Sequence, residues 1–341
     1  MSYLRSHPPT PAQFFLWLLV GWFGAAGGTS FAAETFEVYR STDQGRTWAQ
    51  VGNGLPTDVR IEAVAEVQGQ WFAGTEQGLW ISGDEGRTWR RPERGVPERL
   101  KVYALATVGK RVLAATSEGV WESPSSGEHW SQLEAPWSQR RVLSLAVVLG
   151  RVYAGTDGHG IHLLVPGARE WEDLSVGLPA GVQTQVFEFA VAGGQLFAAL
   201  YARGVYRFDP AQRRWVEAGK EQPLRLVASG SVLFAGRNPG GVAVSRDGGG
   251  HWQDANVGLP ERAPTWCLGR AGSAVLIGTS GPSGLLRTDD EGQRWVPSDQ
   301  GLPIGGEAVA LGEGTASVLA VVIRGQRAAI PSGVLPGLPG F

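Results

Sequence analysis

The stretch Ser41-Thr42-Asp43-Gln44-Gly45-Arg46-Thr47-Trp48 decides the fold of this chain, because its pattern returns along the sequence. It is repeated as Ser82-Gly83-Asp84-Glu85-Gly86-Arg87-Thr88-Trp89. In each copy the Ser and Asp side chains can accept hydrogen bonds from nearby backbone N–H groups and close a tight turn. Gly45 supplies a backbone conformation with positive φ, and Trp48 begins the next strand with a large apolar ring. The pattern therefore indicates architecture and says little about function.

The tryptophans that end these stretches mark a repeat. They are Trp48, Trp89, Trp130, Trp171, Trp215, Trp252 and Trp295. Their successive spacings are 41, 41, 41, 44, 37 and 43 residues. Seven units of about forty residues are typical of a β-propeller built from four-stranded blades. The sequence thus predicts an all-β fold, a seven-bladed β-propeller of four-stranded antiparallel blades.

Each unit shows the same order of strand-like runs. In the second unit these runs are 61–65, 70–75 and 78–82, and a fourth strand is expected from Trp89. The two ends of the chain differ, because residues 35–52 supply only a third and a fourth strand, whereas 307–324 supply only a first and a second. Together they complete one blade. We therefore expect a closed ring without open sheet edges, which would invite aggregation.

The turn residues are retained less well than the tryptophans. Four copies keep the Ser or Thr, the Asp and the Gly of the turn. Their Asp and Gly residues are Asp43 and Gly45, Asp84 and Gly86, Asp247 and Gly249, and Asp290 and Gly292. The copy that ends at Trp130 has lost its Asp, and those that end at Trp171 and Trp215 retain only the ring. Ring packing is therefore predicted to be the essential part of the motif.

The N-terminal residues are predicted to lie outside the propeller. Arg5 precedes an apolar run at 14–26, and small residues follow at 30–32, which is the pattern of a secretory signal peptide. The run is shorter than the roughly 20 residues that span a bilayer. We therefore expect 1–33 to be a cleaved signal peptide, with an uncleaved membrane anchor as the alternative. The propeller then occupies 34–324, and a tail rich in Pro and Gly occupies 325–341.

The mature protein is accordingly expected outside the cytoplasm, either secreted or in a periplasm or lumen, and attached to a membrane only if the N-terminal segment is retained. A net charge of −2 and a pI near 6.2 argue against nucleic acid as a partner. Cys267 is the single cysteine, and its apolar surroundings in sequence indicate a buried, inert thiol. His159 and His162 lack further ligands at metal-binding spacing. We expect a monomer with no metal and no cofactor.

Candidate binding residues are basic. In a propeller, ligands are expected where the fourth-to-first connections and the second-to-third turns meet at the axis. Three adjacent units place a base one residue before the first strand: Arg60, Lys101 and Arg141. Later units offer further bases, namely Arg203, Arg225, Arg237 and Arg262. Brought together, they would bind a carboxylate, a phosphate or an acidic peptide. The alternative is a set of solvated loop charges balanced by Glu62, Glu76, Glu118 and Glu307.

The repeated pattern Ser/Thr-x-Asp-x-Gly-x-x-Trp resembles the Asp-box, or BNR repeat, of sialidases, sortilin-type receptors, some glycanases and photosystem II assembly factors. Over residues 34–324 the chain is most similar to the photosystem II assembly and stability factors. This resemblance implies an exported, single seven-bladed propeller with a basic patch and no catalytic residues. It also implies a protein or peptide as the partner, although an anionic ligand is a further option.

The resemblance to sialidases implies a different function, that of an exo-acting glycoside hydrolase. Sialidases have six blades, and their Arg-Ile-Pro motif is absent here, since the corresponding region reads Tyr39-Arg40-Ser41-Thr42. Tyr103 and Glu188, which could mimic their Tyr–Glu pair, fall two blades apart. A glycosidase needs two carboxylates roughly 5–10 Å apart, and Glu62 and Glu307 on neighbouring blades are the catalytic candidates. A non-catalytic binding module is the main prediction, and a glycoside hydrolase is the alternative.

Overall fold

A computed structural model describes residues 34–124, 127–165, 169–179, 184–237, 240–261, 264–281 and 284–324. The predicted signal peptide at 1–33 and the predicted tail at 325–341 lie outside these ranges. The described part of the chain is all-β. Within it, no helix has the length and apolar character needed to cross a membrane.

The strands form seven sheets arranged as the blades of a propeller. The first blade joins both ends of the described chain and contains β1 (Thr35–Ser41), β2 (Ala49–Val51), β26 (Glu307–Glu313) and β27 (Val318–Arg324). Blades two to four contain β3 (Ile61–Val67), β4 (Gln70–Thr75), β5 (Gly78–Ser82), β6 (Val102–Val108), β7 (Arg111–Thr116), β8 (Gly119–Ser123), β9 (Ser131–Leu133), β10 (Val142–Val148), β11 (Arg151–Thr156), β12 (Ile161–Leu164) and β13 (Trp171–Asp173).

The last three blades follow in the same order. They contain β14 (Val186–Ala192), β15 (Gln195–Leu200), β16 (Gly204–Asp209), β17 (Arg214–Gly219), β18 (Pro223–Ser229), β19 (Val232–Arg237), β20 (Val242–Ser245), β21 (Gln253–Asp254), β22 (Thr265–Ala271), β23 (Ala274–Thr279), β24 (Leu285–Thr288) and β25 (Val296–Pro297). The first strands of successive blades contact one another around the ring, β3 with β6, β6 with β10, and so on to β26 with β3. These seven inner strands therefore surround the axis.

Ring closure occurs as predicted. Strands β1 and β27 pair antiparallel from Thr35↔Arg324 to Ser41↔Val318, and the first blade has the order β2-β1-β27-β26. The two ends of the propeller are thus joined through the middle of one sheet. Closure of this kind removes the free sheet edges that an open array would present.

The second blade departs from the predicted pattern. It has three strands, and the fourth is reduced to a single antiparallel bridge between Ile81 and Arg90. Pro92 follows two residues later and has no N–H with which to continue the ladder. The guanidinium of Arg91 instead lies 4.6 Å from the ring centroid of Trp80. The outer strand is therefore shortened by its own sequence.

The turns after the third strands have the hydrogen bonds expected of their side chains. Ser41 Oγ accepts the Gly45 N–H at 2.8 Å, and Asp43 Oδ1 accepts the Thr47 N–H at 2.9 Å. The same pair of contacts recurs in the turns that begin at Ser82, Ser245 and Thr288. Each turn delivers its tryptophan to the edge of the preceding blade.

A tryptophan then fastens each of several blades to the blade before it. Trp215 is fully buried; its backbone N–H donates to Val176 O at 2.8 Å, and its indole Nε1 donates to Leu174 O at 2.8 Å. Trp295 and Trp48 make equivalent pairs of bonds to their preceding blades. Gly177, at φ 92°, packs so closely that a Cβ would clash with Trp215 O. The Gly-Leu-Pro segments are therefore part of the seam between blades.

Small residues allow the blades to approach near the axis. A Cβ at Gly155 in β11 would lie 2.6 Å from Val186 Cγ1 of the next blade. Gly236 and Gly278 occupy the same strand position and face Thr265 and Ala308 in the same way. Such spacing leaves no room for a side chain, because protein interiors are close-packed. These glycines explain the small residues that recur in the second strands.

Substitution of Trp215 by Ala should lower the free energy of unfolding by about 3–5 kcal/mol, because it removes a fully buried ring and its indole hydrogen bond. Urea denaturation measures the change. The matched control is Trp171→Ala, since that ring is only partly buried and its Nε1 has no hydrogen-bond partner among the described residues. An equal loss of unfolding free energy in the two variants would contradict the conclusion that Trp215 holds adjacent blades together.

Candidate ligand-binding site

Strand pairing places the starts of all inner strands at one end of the molecule. In the second blade Ile61 pairs with Thr75 and Thr75 with Gly78, whereas Trp71 pairs with Ser82 at the opposite end, where the 82–89 turn begins. The Asp-containing turns therefore lie away from the starts of the inner strands. We call the ring of residues at those starts the axial mouth; it comprises 60–62, 101–103, 141–143, 185–187, 222–224, 264–266 and 307–309.

The predicted bases before the first strands occupy fixed, equivalent positions. The carbonyl oxygens of Arg60, Lys101 and Arg141 accept the N–H of Glu76, Ser117 and Asp157, at 3.0, 2.9 and 3.0 Å. Gln185 O accepts the Tyr201 N–H at 3.0 Å in the same way. In the remaining blades this position holds Gln222, Pro264 and Glu307. The mouth is therefore basic in three adjacent blades and neutral in the next three.

A β-bulge near the start of every inner strand adds a second ring of side chains. The register shifts, for example, between Ile61 and Ala63 and between Val186 and Glu188. The bulged residues are Glu62, Tyr103, Leu143, Phe187, Leu224, Trp266 and Val309. All seven are partly exposed. Bulges commonly re-aim a side chain next to a functional site, and here they place apolar and charged groups on the same ring.

Glu62 is held between two of the predicted bases. Its Oε1 lies 2.6 Å from Lys101 Nζ and 3.0 Å from Arg60 Nε. Burial opposes ionisation of this carboxyl, but the attraction of Arg60 and Lys101 outweighs it and lowers the pKa of Glu62 below its ordinary value. Lys101 Nζ also lies 5.3 Å from the ring centroid of Tyr103. Because two bases share one carboxylate, this side keeps a surplus of positive charge.

Arg141 is also paired. Its guanidinium contacts Asp157, and Gln185 Nε2 donates to the other oxygen of that carboxylate at 2.5 Å. The Arg141 side chain is hydrogen-bonded to Tyr103 in the neighbouring blade. The three bases before the first strands are therefore brought together, but each already has an acidic partner.

Arg225 has different surroundings. It lies one residue beyond the bulge of β18, its Nε donates to Trp266 O at 2.8 Å, and its Nη1 donates to Leu224 O at 3.1 Å. No carboxylate of the described residues lies within ion-pair distance of it. Arg225 is partly buried, and its charge acts on both Glu62 and Glu188. Neutral carbonyls thus orient this guanidinium and leave its charge available to an anion.

In four consecutive blades, the residue at the strand position equivalent to Arg225 makes a polar contact with the next blade. Ser144 Oγ donates to Val186 O at 2.8 Å, and Glu188 Oε2 accepts the Leu226 N–H at 2.7 Å. Cys267 Sγ, at the same position, lies 3.4 Å from Ala308 O. The sequence signal was available, since four consecutive repeats place a polar residue or Cys inside an otherwise apolar strand, but sequence reasoning missed it.

Two of these buried groups have perturbed ionisation. Burial raises the pKa of Glu188 to about 7, and Arg225 and the Leu226 N–H offset this only in part. Burial likewise raises the pKa of the Cys267 thiol to about 12. Cys267 is buried, as predicted, and is kept in its protonated, unreactive form.

The other predicted bases lie at the same end of the molecule but have separate partners. Arg237, at the end of β19 opposite Pro223, pairs with Glu221 at 3.3 Å and with Asp254 at 2.6 Å. Arg203 is exposed in the turn between β15 and β16, and Arg262 lies outside the described residues. Glu307 begins β26 at the position that a base occupies in blades two to four. Contacts through Glu62 and Tyr103 therefore connect Arg60, Lys101 and Arg141, and Arg225 acts on the same Glu62.

The two histidines of the fourth blade, His159 and His162, lie close together, and His162 is packed against an aromatic ring. His162 is buried in β12, its Nε2 lies 2.9 Å from His159 O, and its ring centroid lies 4.9 Å from that of Trp137. Among the residues that the structure describes, no group of three or more His, Cys, Asp or Glu side chains could hold a metal ion.

Solved structures share this fold. YCF48 bound to D1 peptide has a TM-score of 0.61 and 17% identity, over 89% of this chain and 100% of that one. The extracellular domain of the putative one component system BT4673 from B. thetaiotaomicron has a TM-score of 0.63 and 12% identity, over 81% of this chain. The chain spans only 40% of the length of that protein.

A third similar structure is the GH74 xyloglucanase from Xanthomonas campestris, with a TM-score of 0.56 and 17% identity, over 81% of this chain and 53% of that one. No protein-family model matches the sequence. A search of curated proteins finds no match either. At these identities the structural likeness shows a shared propeller fold and nothing about activity.

The raised pKa of Glu188 predicts a pH-dependent stability. The folded protein binds a proton here up to about pH 7, whereas the ordinary value is 4.5. Stability from this site is therefore present at low pH and is lost as pH rises between those values, by roughly 3 kcal/mol. Urea denaturation of the wild type and of Glu188→Gln, which stays neutral and can still accept the Leu226 N–H, measures the difference.

The Glu188→Gln variant should be more stable than the wild type at about pH 8 and nearly equal to it at about pH 5. A difference between the two proteins that does not change with pH would contradict the proposed ionisation of Glu188.

Proposed function

We propose that this protein is an exported, non-catalytic Asp-box β-propeller that binds a protein or peptide segment at its axial mouth, in the manner of an assembly factor. The observation that carries the proposal is Arg225, a partly buried guanidinium that two carbonyls orient and that has no carboxylate of the described residues within ion-pair distance. An acidic group of a partner would complete it. The peptide complex of YCF48, a propeller of the same fold, supports this choice of partner.

The surroundings of Arg225 favour binding of an anion. A charge-assisted hydrogen bond is stronger than a neutral one, and a partly desolvated position increases its strength further. Arg60 and Lys101 share a single carboxylate, so their surplus charge adds to the attraction. Because the seams between blades hold the inner strands rigidly, little conformational entropy is lost when a ligand binds.

The proposal also includes where the protein acts and in what form. The segment at 1–33 would direct the chain out of the cytoplasm, so that the partner is met in a periplasm, a lumen or the medium. The outer edge strands of the blades are only two to six residues long, in keeping with a monomer. We propose no cofactor and no nucleic-acid partner, and contact with a membrane only through a retained N-terminal segment.

Glycoside hydrolysis is the second candidate, with Glu62 and Glu307 as its two carboxyls. They lie near the starts of β3 and β26, inner strands of neighbouring blades that contact each other. Against this candidate, the Glu62 carboxylate is already engaged in ion pairs with Arg60 and Lys101. Turnover of fluorogenic glycosides that disappears in Glu62→Gln and Glu307→Gln would make catalysis, and not binding, the function.

The binding proposal is tested with fluorescein-labelled peptides of about twelve residues that differ only in the number of Asp and Glu residues. Affinity should rise with acidic content, and Arg225→Gln should weaken it by about 10- to 100-fold, since a hydrogen bond to a charged group contributes about 1.5–3 kcal/mol. Fluorescence anisotropy measures the dissociation constants. Arg225→Lys keeps the charge but loses the planar guanidinium, so its peptide affinity should lie between those of the wild type and Arg225→Gln.

Arg246→Gln serves as the matched control, because Arg246 is exposed and pairs with Glu291 at the opposite end of the molecule. It should bind like the wild type, and unchanged thermal melting should show that both variants are folded. Peptide affinity that is the same in Arg225→Gln and Arg246→Gln would refute the assigned site.

A further inference from the structure

The neutral side of the axial mouth carries an apolar surface. Phe187, Leu224 and Trp266 are the bulged residues of three consecutive blades, and Tyr201 lies in the adjoining turn beside Phe187. We call these four residues the apolar shelf. All four are partly exposed. The residues before the same first strands are Gln185, Gln222 and Pro264, so no charged side chain takes the place that Arg60 or Lys101 takes elsewhere.

The shelf residues are more exposed than the aromatic residues of the second strands, whereas Trp80, Trp121 and Phe208 are partly exposed to a similar degree. Aromatic residues of the second strands, such as Phe197 and Phe234, are completely buried between blades. Phe187 and Trp266 belong to inner strands but remain partly open to solvent. Neighbouring apolar side chains that stay exposed within a polar rim are typical of binding sites.

Hydrogen bonds and ring contacts hold the shelf in place. The rings of Phe187 and Tyr201 have centroids 5.3 Å apart at an interplanar angle of 59°. Trp266 Nε1 donates to Ser280 Oγ at 3.1 Å, which orients the indole. The shelf is therefore formed before any ligand arrives, and a preformed apolar surface binds without paying for side-chain ordering.

Arg225 lies within the shelf, in the middle one of the three neutral blades, and its charge acts on Glu62 of the basic side. Its guanidinium donates to the carbonyl oxygens of Leu224 and Trp266, two members of the shelf. A ligand carboxylate on Arg225 would thus lie directly beside apolar side chains. This charge complementarity argues for an occupant that carries an acidic group and an apolar group close together.

We propose that the apolar shelf binds an aromatic or large aliphatic side chain of the partner segment, whose adjacent acidic residue contacts Arg225. The partner is then a peptide segment in which Phe, Trp, Leu or a similar residue neighbours Asp or Glu. This inference rests on the proposed function and adds the class of sequence that the mouth recognises. A few residues near the centre of an interface, among which Trp, Tyr and Arg are enriched, contribute most of its affinity.

The test compares two labelled peptides of equal length and charge, one with Phe beside Glu and one with Ser in place of that Phe. The wild type should bind the Phe peptide about 10-fold more tightly, as expected for burial of one aromatic side chain. In Leu224→Ser this preference should shrink toward unity, whereas binding of the Ser peptide should be unchanged. Phe187→Ser provides an independent variant should Leu224→Ser fail to fold.

Leu149→Ser is the matched control, because Leu149 is 97% exposed and lies in the turn at the far end of β10, away from the mouth. It should retain the full preference for the Phe peptide. Preference that survives in both shelf variants would overturn the inference.

The failure of this inference can be distinguished from that of the proposed function. If the peptides bind with equal affinity but still depend on Arg225, the shelf is not a binding surface and the anion site stands. If neither peptide binds, both proposals fail. Competition by a neutral xyloglucan oligosaccharide in the same assay would instead assign the shelf to sugar rings and would also overturn the inference.

Discussion

The seam between adjacent blades is the interaction on which the rest of this structure depends. At Trp215 a single residue contributes its backbone N–H, its indole N–H and a fully buried ring to the preceding blade. Gly177 permits that approach because a Cβ would meet Trp215 O. Since similar seams recur and β1 pairs with β27, no blade can shift without disturbing its neighbours. The inner strands are therefore fixed around the axis.

A rigid ring of equivalent positions allows different residues to build an asymmetric site. The position before the first strand holds Arg60 in one blade and Gln185 in another, although the backbone contacts are the same. The bulge position likewise holds Glu62 on one side and Trp266 on the other. Charge and apolar surface are thus separated around the axis by sequence differences alone, and Arg225 places one guanidinium among the apolar side chains.

Much of the fold was predictable because tryptophan spacing reports blade number directly, and the strand patterns at 35–52 and 307–324 reveal how the ring closes. The site was less predictable. Arg60, Lys101 and Arg141 could be found from their repeat position, but their pairing with Glu62 and Asp157 depends on contacts between blades. The bulges that expose Phe187 and Trp266 depend on strand register, and this register cannot be read from a single sequence. Arg225 could have been singled out by the strand position that it shares with Ser144, Glu188 and Cys267, but its orientation by two carbonyls depends on contacts that the sequence does not show.

The central claim is that ligands bind where the inner strands begin and not at the Asp-containing turns. Hydrogen–deuterium exchange with and without a saturating acidic, Phe-containing peptide tests it most directly, because exchange reports local protection along the whole backbone. Exchange should become slower at the starts of the inner strands, above all in 222–226 and 264–267, and should not change in 41–48 or 82–89. Protection of those turns without protection of the axial mouth would contradict it.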